Sequence, residues 1–344
     1  MQKFLYHTIM ETWKKYVALL LICIALLAIF VIENKPARRQ YYTDAGYVFG
    51  TTYHITYEAD TPLTADIHAA LRRVDNSLSM FNKHSTIAAV NRNDSTVVLD
   101  SLFVRVFNRS LEIATITNGA FDITVAPLVN LWGFGFDKRS LVTPERLDSA
   151  FRLVGYRQVK LVDGKIVKND PGIMLDASAI AKGFACDVVA ETLMQHHIEN
   201  YIVEIGGEVA VNGHNAKNEA WRIGINKPVE DSLSVTNEIQ QVATLTHGGM
   251  ATSGNYRNFY VNNGKKFAHT IDPLSGYPVQ HSLLSATIVA ADCMTADACA
   301  TACMVMGLDS SLNFCRQHGL EGYFIYAEGD NFKEIWTEKF PIKQ

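Results

Sequence analysis

Asp297 and Thr301 stand four residues apart in TADACATACMVMG (295–307), a stretch of small side chains at helical spacing. On a helix, residues i and i+4 share one face, which puts a carboxylate and a hydroxyl a few ångströms apart. Two such oxygens suit a hard cation. Magnesium takes oxygen ligands, keeps several waters, and commonly joins one or two protein oxygens to substrate phosphates. A main-chain carbonyl from DASAIAKG (176–183) is a candidate third protein oxygen. The interleaved Ala296, Ala298, Ala300 and Ala302 let a ligand or another backbone come close. Without a cation, a half-buried Asp297 needs another partner, because an unpaired carboxylate is costly to bury or is driven toward its neutral form. ATSG (251–254) adds the hydroxyls of Thr252 and Ser253 and glycine-freed amides, a set suited to phosphate oxygens.

Further polar, glycine-rich clusters follow one another along the chain: GAFDITVAPLVNLWGFG (119–135), LDASAIAKGFACD (175–187), EIGGEVAVNG (204–213) and HTIDPLSGYPV (269–279). Singly, each has a plain structural reading. Gly206-Gly207 reads as a turn, Asp272-Pro273 with Gly276 as a turn signature, and Asp122 and Asp176 as caps. Lys182 opens a helix, where a lysine usually ends in solvent, and His269 alone reads as a partly buried hydrogen-bonder. Jointly they supply the parts for handling a pyrophosphate. The chain has no GxxxxGK[ST], no GxGxxG between a strand and a helix, and no GxSxG, which excludes P-loop, Rossmann and nucleophile-elbow sites.

The elements that must position these residues alternate between two periods. YVFGTTYHITYEA (47–59) reads as a strand pair interrupted at Gly50, and TPLTADIHAALRRVDNSLSMF (61–81) as an amphipathic helix. SLFVRVFNRSLEIATITNG (101–119) is a second helix capped at Gly119, and VKLVDGKIVKN a hairpin around Asp163-Gly164. IAKGFACDVVAETLMQHH (180–197) is a third helix, NYIVEIGGEVAVNG a strand entering a tight glycine turn, and WRIGINKP a further strand. NFYVNNGKKFAHTID turns at Asn263-Gly264, and SLLSATIVAAD is a strand feeding the 295–307 helix. Hairpins mixed with long helices predict an α+β fold rather than a doubly wound parallel sheet.

With 344 residues, 48% hydrophobic and 19% charged, the chain is long enough for a large core. Its formal net charge of -4, with basic residues scattered, argues against nucleic acid as a partner. Five of the 6 cysteines follow residue 32 without a CxxC pair, and buried free thiols are expected. The N-terminus differs. Residues 16–32, YVALLLICIALLAIFVI, carry no charge and sit at the lower limit for a membrane-spanning helix. No small-residue cleavage site follows, and Ile22 before Cys23 is unlike a lipoprotein signal, so an uncleaved anchor is expected. The organisation read from the sequence is a tail (1–15), an anchor (16–32), a linker (33–43) and one domain (44–344). Lysines before the span and basic residues after it balance, which leaves orientation open on charge alone.

Together with SMFNKHSTIAAVN (79–91) and GTTYHITY (50–57), the clusters appear in an order and spacing that resemble the ApbE family of flavin transferases, from about Tyr47 to about Lys339. The resemblance implies a T-fold-related fold of mixed sheets packed with helices. It implies magnesium held by Asp297, Thr301 and the main-chain oxygen of Ala179. It implies FAD, as substrate, bound by Phe49, Ala120, Phe121, Asp122, Asp176, Lys182 and Ile271. Three positions depart from the common pattern: Phe49 where Met is frequent, Glu208 where Asp or Asn is frequent, and Ser178 for a glycine.

The implied reaction is attack by a threonine or serine hydroxyl of a partner protein on the FMN-side phosphorus of FAD, releasing AMP. Such a hydroxyl needs a base, and the pyrophosphate needs its charge neutralised. His269 and Asp272 are the two candidates for the base. Magnesium-dependent hydrolysis of FAD to FMN and AMP, and FAD storage without chemistry, are the alternative functions. The resemblance also implies an acceptor in a membrane electron-transport complex, and a catalytic domain on the periplasmic side of the inner membrane, held there by the N-terminal helix.

Overall fold

The computed structural model describes residues 10, 13–17, 19–22, 24, 39–135, 141–228, 238–255, 259–262, 265–329 and 331–342. The chain divides into two units, Met1–Gln40 and Tyr41–Gln344. In the first unit, the described residues between 10 and 24 are helical. The remainder of the expected anchor, residues 18, 23 and 25–32, and the expected linker through residue 38 lie outside the described residues. No helix among the described residues is long and apolar enough to cross a membrane.

Strand β1 (Gln40–Val48) begins inside the stretch expected as linker, which corrects that boundary. It is a sheet-edge strand with mostly exposed or half-exposed side chains, so its polar sequence carries no burial signal. It turns into β2 (Thr51–Ala59) through Phe49 and Gly50, at φ 52° and 77°. Two successive positive φ values match the twist of a two-residue hairpin and are uncommon for a residue such as Phe. Helices α1 (Thr64–Leu78), α2 (Thr86–Asn91), α3 (Ser101–Ile116), α4 (Ala126–Leu131) and α5 (Pro144–Phe151) follow. After the small hairpin β3 (Val159–Val162) and β4 (Lys165–Lys168) comes α6 (Ala181–Gln195).

The hairpin of β5 (Tyr201–Ile205) and β6 (Glu208–Asn212) turns on Gly206 and Gly207, both at positive φ, so the expected single strand is two. Then come β7 (Trp221–Asn226), β8 (Ile239–Leu245), β9 (His247–Gly254), β10 (Phe259–Asn262), β11 (Lys265–Ala268) and β12 (Leu283–Ala290). The chain closes with α7 (Cys293–Met306), α8 (Leu308–His318), β13 (Glu321–Glu328) and β14 (Asn331–Trp336). β10 and β11 pair as expected from sequence, Asn262 opposite Lys265, while the turn residues 263 and 264 lie outside the described residues.

Eight strands form one sheet in the order β1-β2-β5-β6-β9-β12-β13-β14. Strand alternation gives it two buried faces. On one, Val203, Ala210, Ala251, Ala286, Ile288 and Phe324 meet α1, α6 and α7 in the main core. On the other, Val209, Val211, Met250, Tyr323 and Ile325 meet Trp221, Ile223, Ile225, Ala243 and Leu245 of the β7–β8 hairpin. A third cluster joins α4 and α5 to Ile271.

Helix α7 carries apolar or small side chains around nearly its whole circumference and is buried accordingly. Two glycines let it in. A Cβ at Gly183 of α6 would lie 2.3 Å from the Cys293 carbonyl oxygen and 2.7 Å from Asp297 Cβ. One at Gly249 of β9 would lie 2.3 Å from Cys293 N. Gly249→Ala is therefore expected to destabilise the protein by about 1–3 kcal/mol or more in urea unfolding, because the obstacle is backbone. Gly224→Ala, whose Cβ would meet only the flexible end of Ile239 at 3.2 Å, is the comparator and should shift stability by less than about 1 kcal/mol.

Candidate active site

The first turn of α6 and the middle of α7 face each other across the Gly183 contact, and there the carboxylate of Asp297 is 3% exposed. Asp297 Oδ2 accepts a hydrogen bond from Gly183 N at 2.9 Å. Gly183 is the third residue of α6, so its amide is one that a helix start leaves without a helical acceptor, and the Asp297 side chain supplies one. The Ala179 carbonyl, in the turn just before the helix, takes no backbone donor among the described residues. One turn along α7, Thr301 Oγ1 lies 3.1 Å from Ser253 Oγ at the end of β9. Asp297, Thr301, Ser253 and the Ala179–Gly183 turn thus converge.

Two more charges stand beside them. Lys182 Nζ pairs with Glu208 at the start of β6, which is 4% exposed, and the ammonium also feels Asp297. Burial works against the Lys182 charge, but Glu208 and Asp297 outweigh it and hold the ammonium above its ordinary range. Burial, reinforced by Asp297, raises Glu208 above the usual carboxylate range against the pull of Lys182, and burial likewise raises Asp297. Two buried carboxylates share one ammonium, so the cluster lacks one positive charge. Among the described residues no three His, Cys, Asp or Glu side chains gather as a metal cluster. A cation at this place would rest on one carboxylate and neutral oxygens, a donor set that fits magnesium better than zinc.

Thr252 is separated from Ser253. Successive side chains of a strand point to opposite faces, and Thr252 Oγ1 bonds Thr287 Oγ1 at 2.8 Å on the face turned to β7 and β8. Of the two hydroxyls in ATSG, Ser253 alone joins Thr301.

The 119–124 segment forms a second group. Asp122 is 6% exposed, and both its oxygens are engaged: Oδ1 accepts from Thr124 N (2.8 Å) and Thr124 Oγ1 (2.6 Å), Oδ2 from Tyr156 N (2.7 Å). Its carboxylate is a staple for the loop. Ala120 and Phe121 are buried in the main core, so main-chain atoms are what they retain for a ligand. Asp176 N donates to the Ile123 carbonyl, and Asp176 Oδ1 accepts from Ser178 N at 2.8 Å, shaping the turn that carries Ala179. Phe49 packs partly buried against the same core.

The 269–279 loop forms the third group. Asp272 Oδ1 accepts from Leu274 N at 2.9 Å, Gly276 N donates to the Asp272 carbonyl, and Trp132 Nε1 donates to the Gly276 carbonyl at 2.8 Å. Ile271 is buried, bridging to Pro278. His269 meets the Phe134 ring edge-on at 6.4 Å between centroids. Thr270 Oγ1 donates to Asn255 Oδ1 at 2.7 Å, tying this loop to the end of β9 beside Ser253. The side chain of Leu274 reaches Gly119, tying it to the second group.

Asp187 has a role the sequence reading passed over. From α6 it accepts the Cys293 and Met294 amides, at 2.9 and 2.8 Å, and so caps α7 beside its own Asp292 cap. An acid one turn beyond Gly183 on the same helix face was the available signal. All five cysteines after residue 32 are buried free thiols, as expected.

The fold and this site define a flavin-transferase architecture. The ApbE family model matches residues 49–324. The chain is 38% identical over 304 residues to an FAD:protein FMN transferase of Haemophilus influenzae, covering 84% of this chain and 87% of that one. It is 34% identical over 330 residues to one of Vibrio cholerae, covering 93% and 97%. Among solved structures, the flavin transferase ApbE from Vibrio cholerae superposes with a TM-score of 0.78 at 33% identity, over 88% of this chain and 98% of that one. Pseudomonas stutzeri flavinyl transferase ApbE, in its apo form, gives 0.78 at 28% identity, over 87% and 95%. The chain belongs to the ApbE family, with its mixed α+β fold.

Burial and neighbouring Asp292 and Glu191 push the Asp187 carboxyl up to about 7, despite the two amides. Because the folded value lies above the unfolded one, near 3.9, its contribution is full below about pH 4 and is lost as pH rises through about 7. Asp187→Asn, which keeps an acceptor oxygen, is expected to flatten the fall in stability across that window. Asp187→Ala should lower stability by about 1–3 kcal/mol at pH 5, since it leaves two buried amides unpaired. Urea unfolding from pH 4 to 8 checks both.

Proposed function

We propose that this chain does what its relatives are named for: it is an FAD:protein FMN transferase, moving the FMN part of FAD onto a hydroxyl of an acceptor protein. The observation that carries the reading is the α6–α7 contact. It buries the Asp297 carboxylate with a single amide donor and sets Thr301 one turn along, while the Ala179 carbonyl just before α6 takes no backbone donor among the described residues. Asp297, Thr301 and Ala179 would hold magnesium, which when bound supplies charge neutralisation for the pyrophosphate.

In the reaction, the acceptor's serine or threonine oxygen forms a bond to the FMN-side phosphorus as the phosphoanhydride bond breaks. AMP leaves with the bridging oxygen, and the acceptor's proton passes to a base. His269 is that base in this reading. Asp272 is the weaker candidate because one of its carboxylate oxygens is engaged by the Leu274 amide that fixes the turn; its part is to position the loop carrying His269. Lys182 neutralises phosphate charge, and Ser253 offers its hydroxyl beside Thr301. Ala120, Phe121, Asp122, Asp176, Phe49 and Ile271 build the FAD-binding segments, Asp122 and Asp176 by shaping their turns.

The charge-free run at 16–32 and the family resemblance support a single-pass anchor, with the domain on the periplasmic side of the inner membrane and its acceptor in a membrane electron-transport complex.

The test is incubation of the full chain in detergent with FAD, magnesium and a flavin-acceptor domain, followed by mass spectrometry of the acceptor. A mass gain equal to FMN, abolished by chelator, is expected. Asp297→Ala and His269→Ala should each slow transfer by about 10²–10³-fold. Free FMN and AMP with an unmodified acceptor would replace transfer by hydrolysis, and intact FAD would replace it by storage.

A further inference from the structure

Glu208 sits directly after the Gly206-Gly207 turn, on the sheet face that α6 and α7 cover. Its Oε1 pairs with Lys182 Nζ, whereas Oε2 is sealed from solvent with no hydrogen-bond partner among the described residues. Such an oxygen is costly to bury, so the carboxylate is held there by what its other oxygen does. The Lys182 stem reaches it by passing Gly206, where a Cβ would lie 3.4 Å from Lys182 Cδ and 2.8 Å from Thr51 Cγ2. The ammonium thereby pairs with Glu208, and no direct ion pair with Asp297 forms among the described residues, although Asp297 is the other buried carboxylate within its electrostatic reach.

We propose that Glu208 is a positioning residue that holds the Lys182 ammonium away from Asp297, leaving the Asp297 carboxylate open to the divalent cation. This rests on the magnesium reading above. Lys182 and Glu208 together form a neutral pair beside the cation site. With Glu208 neutral, Asp297 becomes the remaining buried carboxylate for Lys182, and ammonium and cation compete for one group. Glu208 acts through Lys182 and touches neither cation nor substrate.

Calorimetric titration of magnesium chloride into the FAD-free full chain tests this without reference to turnover. Wild type should bind, and Glu208→Gln should bind about tenfold more weakly or worse, because a fixed like charge is released toward the site. The double variant Glu208→Gln with Lys182→Met should return to within about threefold of wild type, since charge and competitor are removed together. Unchanged affinity in Glu208→Gln would overturn the proposal. So would a double variant as weak as the single one, which would make Glu208 itself a ligand. Should Glu208→Gln fail to fold, Lys182→Met alone decides: it should bind magnesium at least as tightly as wild type, and weaker binding overturns the proposal. A wild-type chain that binds no magnesium would instead sink the magnesium reading, a distinct result.

Discussion

The contact between the first turn of α6 and the flank of α7 is the constraint on which the site depends. Gly183 has no Cβ, so its backbone lies against Cys293 and Asp297, and its amide reaches the Asp297 carboxylate at 2.9 Å. One hydrogen bond therefore does three things. It supplies a donor to a buried acid, it satisfies an amide that the first turn of α6 leaves without a helical acceptor, and it fixes the register of the two helices that carry Lys182 and Thr301. Asp187 repeats the link one turn further along α6 by capping α7 through two amides. The acid at position 297 is buried by packing, and its residual charge makes the place suited to a cation.

Around that contact, function is divided between groups that meet a ligand and groups that hold others still. Asp122, Asp176 and Asp272 all belong to segments expected to meet FAD, yet each engages local amides, Asp122 through both carboxylate oxygens and the other two through one. Their loops are long and lie between regular elements, so the side-chain staples replace the ladder bonds that a strand or helix would supply. The three groups of loops are then tied to one another by Thr270 with Asn255 and by Leu274 against Gly119. In this arrangement a pyrophosphate would meet preset amides and hydroxyls, with little ordering of the chain left to bring about on binding.

Much of this was legible in the sequence where period and chemistry agreed. The hairpin at Asp163-Gly164, the helix at 101–116 and the buried α7 follow from turn residues and apolar spacing. The pairing of Asp297 with Thr301 follows from helical geometry alone. What stayed hidden depended on tertiary contacts. β1 is an exposed edge strand with no burial pattern, and Thr252 differs from Ser253 only through the sheet face each residue meets. Glu208 and Asp187 read as ordinary acids until the partner across the interface, Lys182 in one case and the end of α7 in the other, is in place.

Crystals of the protein soaked with manganese, as an anomalously scattering stand-in for magnesium, would locate the cation. One strong anomalous peak is expected within bonding distance of an Asp297 oxygen, Thr301 Oγ1 and the Ala179 carbonyl oxygen. A peak bound elsewhere, or an Asp297 carboxylate still held by protein groups alone in a manganese-saturated crystal, would contradict that placement.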